Sequence, residues 1–142
     1  MKAWLINSNS KTENKGTHCF EYMIRHSKVS AYYDGFNNQI DIIEKGDLVL
    51  LYHNKNRIIA VGFVVKKCTP HDYQHDMGSV DEHWADVNWI WKVTFDNDLT
   101  PLNPIIRTNV DITMVNKTVV NITDQLDYKG LLEEMASRQL YL

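Results

Sequence analysis

Residues 46–65, GDLVLLYHNKNRIIAVGFVV, constrain the fold of this chain more than any other stretch. Two apolar runs, 48–52 and 58–65, flank the polar tetrad His53-Asn54-Lys55-Asn56. β-Branched and aromatic residues on either side of a short Asn-rich turn specify a hairpin. Neither run alternates cleanly between apolar and polar residues. Both strands are therefore expected to be covered on both faces, as in a small barrel.

The flanking sequence supplies the other elements. Residues 2–7 read as a first strand, followed by a polar loop over 8–16. Thr17 can cap a helix over 18–28, in which Cys19/Met23, Phe20/Ile24 and the pair Glu21/Arg25 stand at i,i+4. Residues 30–38, SAYYDGFNN, are aromatic with a turn at Asp34-Gly35, and 40–44 form a short helical or extended link. The stretch 66–86 has no apolar period and reads as a long surface loop. Residues 87–95 then alternate strictly, which places Val87, Trp89, Trp91, Val93 and Phe95 on one face. A further hairpin is expected over 112–122, turning at Asn116-Lys117. Thr123 or Asp124 caps a last helix with Leu126, Leu131, Leu132 and Met135 on its buried side. The plan is α+β, one domain over residues 1–142, with a twisted β-barrel and flanking helices.

The net charge of −3 argues against a protein that grips nucleic acid by bulk electrostatics. The charge is uneven: residues 1–67 carry ten Lys/Arg against six Asp/Glu, and residues 68–142 carry five against twelve. A basic face assembled from Lys11, Lys15, Arg25, Lys28, Lys55, Lys66 and Lys67 is the functional reading of that bias. No run approaches the ~20 apolar residues of a membrane span, and the N-terminal segment reads as a strand, not a signal peptide. Cys19 and Cys68 are expected to be reduced thiols in a cytoplasmic protein.

Three of the four tryptophans lie between 84 and 91. Trp89 and Trp91 are core by their phase in the alternation, and Trp4 by its place in the first strand. Trp84 stands apart among Asp81, Glu82, His83 and Asp86. A tryptophan in a polar loop at a barrel mouth is a stacking surface for a flat ring. Tyr32, Tyr33 and Phe36 are a second aromatic group. His71 and His75 share an i,i+4 spacing that zinc sites use, but the surrounding sequence is a poor helix and no cysteine partner stands at finger spacing, so no metal is expected. There is no P-loop, no GxSxG and no GxGxxG.

AWLINSNS at 3–10, YYDGFNN at 32–38 and the 46–65 hairpin resemble the EVE domain of the PUA-like superfamily, and VNWIWKV at 87–93 resembles the aromatic strand that EVE shares with YTH domains. In the first segment Asn9 and Ser10 replace the family's Glu-Pro, and Asn37 replaces its Arg. The resemblance implies an EVE-type, PUA-like barrel that takes a modified base into an aromatic cage, as YTH domains read N6-methyladenine in RNA and restriction-linked modules read methylated DNA bases. On that reading Trp84 stacks on a flipped base opposite Tyr33 or Phe36, and Ser8 and Asn9 bond its edge. Lys11, Lys15, Lys66 and Lys67 meet phosphates. The module carries no cofactor and is not an enzyme. It serves a defence, restriction or regulatory system whose nuclease or NTPase lies on another subunit or fused domain. Two alternatives are a small hydrolase of modified nucleosides and a peptide-binding domain. The Gly-x-Lys-x-x-Glu pattern of ASCH-type hydrolytic relatives is missing, since Thr17 and His18 follow Gly16.

Overall fold

A computed structural model describes residues 1–8, 20–31, 37–53, 57–67, 83–98, 100–113 and 118–139. Asn9, Lys11, Lys15, Tyr33, Phe36, His71, His75 and both cysteines lie outside the described residues. In chain order the elements are β1 (Ala3–Asn7), α1 (Phe20–Arg25), β2 (Lys28–Ala31), a 3-10 turn at Asn37–Ile42, β3 (Leu48–His53), β4 (Arg57–Lys67), β5 (His83–Lys92), β6 (Ile105–Ile106), a second 3-10 turn at Arg107–Val110, β7 (Val119–Asn121) and α2 (Tyr128–Gln139).

The seven strands form one mixed sheet in the order β2-β5-β4-β3-β1-β7, with β6 paired to the start of β4. The expected hairpin is present, Leu48 opposite Phe63 and Tyr52 opposite Ile58. All of β3 is buried, as is β4 from Ile58 to Gly62, so this central pair is covered on both faces. β1 runs parallel to β3, Ala3 opposite Leu48 and Asn7 opposite Tyr52. A parallel pair needs a crossover connection, and the chain through α1 and β2 supplies it.

Asp47 locks this corner. Its carboxylate accepts from Lys2 N at 3.0 Å, Trp4 Nε1 at 2.9 Å and Glu44 N at 3.0 Å. Burial would raise this carboxyl, but the three hydrogen bonds and the N-terminal charge outweigh it and hold Asp47 below its ordinary value. Gly46, at φ 90°, turns the chain just before it. Trp4 is core as expected, with its indole N–H satisfied by this acid.

Several expectations are corrected. The first helix ends at Arg25, because Ser27 takes the left-handed conformation (φ 53°) that closes a helix and lets β2 begin. Residues 83–86 are strand, since β2 gives them a partner: Ser30 lies opposite Trp84 and Lys28 opposite Asp86. β7 pairs with β1, Leu5 opposite Val120, while residues 112–113 are not strand and the expected turn at Asn116-Lys117 lies outside the described residues. Leu132 is 62% exposed, because Leu131 and Met135 define the buried stripe of α2 and Leu132 lies about 100° away from it. The α+β plan holds: the twisted sheet is curled into a half-barrel with two helices, and among the described residues no rung joins β2 to β1 or β7.

The alternation over 87–95 is also broken. Val61 pairs with Trp91 and Gly62 with Trp89, which leaves Ile90 as the extra residue of a β-bulge. Paired residues share a face and β4 is regular here, so Trp89 and Trp91 project to opposite sides. Trp91 is 7% exposed, whereas Trp89 is only partly buried and its buried Nε1 has no hydrogen-bond partner. Gly62 is required at the bulge: a Cβ there would stand 2.5 Å from Asn88 O and 2.9 Å from Trp89 Cε3.

Candidate nucleic-acid interface

Two clusters of polar and aromatic side chains lie on this frame. The first is at the C-terminal ends of the parallel strands β1 and β3. Ser8 is buried there, its backbone N–H donating to Tyr52 O at 3.0 Å and its hydroxyl to the same oxygen at 2.6 Å. With that proton committed, Ser8 Oγ is left as an acceptor. Burial raises the Tyr52 phenol against the opposing pull of Arg107. His53 stands edge-on to Phe20, ring centroids 4.4 Å apart, and Phe20 lies 5.0 Å from Phe95. The His53 Nδ1 is buried without a partner among the described residues, and burial, then the charge of Arg57 across the ladder, push the imidazole down to about 4.

The second cluster forms where β2 meets the start of β5. Lys28 is 7% exposed, an unusual place for an ammonium. Its Nζ donates to Tyr22 Oη at 3.0 Å, lies 4.6 Å from the Tyr22 ring centroid, and lies 5.2 Å from that of Trp84. Trp84 is thus a half-buried strand residue next to a cation. His83, on the opposite face of β5, is held by Asp41, Nδ1 to Oδ2 at 2.9 Å. Lys67 pairs with Glu44 at 3.2 Å, while Lys66 is exposed. Among the described residues no group of three His, Cys, Asp or Glu could hold a metal ion, and no helix is long and apolar enough to cross a membrane.

The register separates the clusters. Ser8 sits beside Tyr52, which pairs with Ile58, and Trp84 precedes Ala85, which pairs with Lys67. That stagger of nine residues along β4 is roughly 30 Å of strand. α1 lies between the two clusters and touches both. Phe20 touches His53, and Tyr22, two residues on, holds Lys28 against Trp84. Tyr22 carries no signal in the sequence, and Lys28, expected on an exposed basic face, is instead buried against Tyr22 and Trp84. The buried role of His53 was equally hidden, because its position at a hairpin turn suggested solvent.

This curled mixed sheet with packed helices is the fold of YTH domains. The crystal structure of the Mmi1 YTH domain matches with a TM-score of 0.54 at 8% identity, covering 99% of this chain and 97% of that one. The Mmi1 YTH domain in complex with RNA gives 0.56 at 8% identity, covering 99% and 82%. Rpa0253 from Rhodopseudomonas palustris, solved by NMR, gives 0.51 at 13% identity, covering 96% and 94%. At such identities the likeness establishes the fold. By sequence the chain belongs to the family described as Domain of unknown function (DUF8426), whose model matches residues 4–123. No curated protein matches it in sequence.

Proposed function

We propose that this chain is a nucleic-acid-binding module of YTH-like fold that receives one extruded, methylated base against Trp84. Tyr33 or Phe36 forms the opposing wall, Ser8 and Asn9 meet the base edge, and Lys11, Lys15, Lys66 and Lys67 meet phosphates. The observation that carries the reading is Trp84 itself: a half-buried indole at the start of β5, next to a buried cation and linked by α1 to the Ser8 end. The likeness to a fold solved with RNA supports it, as does the sequence resemblance to EVE domains. Unstacking a base costs a few kcal/mol, and each aromatic face returns about 1–3 kcal/mol. Lys67 would exchange Glu44 for phosphate at little cost, because an exposed pair contributes about 0–1 kcal/mol. The module acts by binding, and any nuclease or NTPase step belongs to a partner subunit or domain.

Titration with DNA and RNA oligonucleotides, methylated and unmodified, at two salt concentrations tests this. With few phosphate contacts, the slope of log K against log salt should be about two to four, at roughly 0.9 per phosphate neutralised on B-DNA. The methylated form should bind severalfold tighter at both salts, because a methyl group is read by apolar contact. Equal affinities across the panel with a steep slope would leave only a generic nucleic-acid binder.

A further inference from the structure

Two aromatic faces turned toward one point are what proteins use to hold a cation. Here the cation is already present. Lys28 Nζ sits within 4.6 Å of the Tyr22 ring centroid and 5.2 Å of that of Trp84, with Tyr22 Oη accepting its hydrogen bond at 3.0 Å. The placement is structurally enforced. Ser27 turns the chain out of α1, so Tyr22 and Lys28 come from opposite sides of that turn, and the β2–β5 ladder sets Ser30 opposite Trp84. In an antiparallel pair Lys28, Ser30, Trp84 and Asp86 share one face, so the ammonium and the indole are neighbours by register.

We propose that Tyr22 and Trp84 form a cation seat filled by the protein's own Lys28, and that the site consequently selects electrically neutral bases over cationic ones. The inference rests on Trp84 being the base-stacking residue and adds the charge class of the ligand. A base methylated on an exocyclic amine or a ring carbon stays neutral. One methylated on a Watson–Crick ring nitrogen that carries no proton, as in N1-methyladenine or N3-methylcytosine, is a cation at neutral pH. A cationic ring stacked on Trp84 would compete with Lys28 for the same electron-rich indole. A neutral ring meets no such competition.

Methyl isomers isolate charge from size. Oligonucleotides carrying N6-methyladenine or N1-methyladenine, and 5-methylcytosine or N3-methylcytosine, should be titrated against the native chain and the variants Lys28→Met and Lys28→Arg. The native chain should prefer the neutral isomer of the base it binds by at least tenfold. Lys28→Arg should keep that preference, and Lys28→Met should shrink it at least threefold. A measurement without nucleic acid tests the seat alone. Tetramethylammonium should quench tryptophan fluorescence saturably in Lys28→Ala, but not in the native chain or in the double variant Lys28→Ala/Trp84→Phe. Equal binding of both isomers by the native chain would overturn the selectivity, and equal quenching in native chain and Lys28→Ala would overturn the seat. Indifference to every oligonucleotide, with quenching as expected, would overturn the base-reading function while confirming the seat.

Discussion

Trp91 and Trp84 stand on the same strand and are put to opposite uses. Trp91 pairs with Val61, in the buried part of β4, and is itself only 7% exposed. Trp84 pairs with Ser30 at the sheet's edge and shares its face with a buried ammonium. A tryptophan in the first setting is apolar volume. In the second it is a polarised surface whose electron density is already in use. The setting, not the residue type, decides which tryptophan is a candidate for ligand contact.

The largest effect expected from this contrast is at Trp91. Trp91→Ala should cost ~3–5 kcal/mol in chemical denaturation, as large-to-small core changes do. A loss below ~2 kcal/mol would erase the distinction between the two settings.

The clusters should also differ toward acid. His53 is neutral in the fold, with its value lowered from 6.5 to about 4, so the unfolded chain binds the extra proton between those values. Stability should therefore be complete above pH 6.5, fall as pH drops toward 4 by up to about 3 kcal/mol, and level off below. His53→Leu should flatten that slope in melts recorded from pH 7 to 4. An unchanged slope would place the acid sensitivity elsewhere. Asp47, whose value is depressed, adds a separate loss only at still lower pH, as its carboxylate becomes protonated.

Trp89→Ala should destabilise less than Trp91→Ala, by ~1–3 kcal/mol, because the ring is partly exposed and its buried N–H is already unpartnered. Equal losses at the two positions would argue against the phase reversal at Ile90. Trp84→Ala should cost only ~1 kcal/mol, the scale of a cation–π contact, yet weaken oligonucleotide binding at least tenfold. A loss of fold comparable to that of Trp91→Ala would return Trp84 to the core. Leu132→Ala, on the exposed side of α2, should stay within ~0.5 kcal/mol in the same melts.

Much of the fold was legible in the sequence because it rests on local chemistry. The β3–β4 hairpin announces itself by two apolar runs around an Asn-rich turn, β1 by its short apolar run, and the last helix by the spacing of Leu131 and Met135, although it begins at Tyr128 and not at the expected cap of Thr123 or Asp124. Leu132 failed because spacing of this kind tolerates one extra apolar residue beside the stripe. The candidate site was legible only in part. Trp84 could be named from its surroundings and Ser8 from the resemblance, and Lys28 was expected on an exposed basic face, but the contacts of Lys28, Tyr22 and His53 could not be read, since each depends on what lies across a gap in sequence.

By itself, then, the sequence determined which segments pair locally and which apolar residues must be buried, because hairpins and amphipathic periods are short-range properties. Only the tertiary structure decided the rest. The parallel match of β1 with β3 joins residues over 40 positions apart, as in the Trp4–Asp47 hydrogen bond. The bulge at Ile90 reverses the phase of a perfect alternation because β4 brings Gly62 too close for a regular ladder. A lysine from an expected helix end became a buried cation because the Ser27 turn and the β2–β5 register set two aromatic rings around it, and no periodicity encodes contacts made across such a gap in sequence.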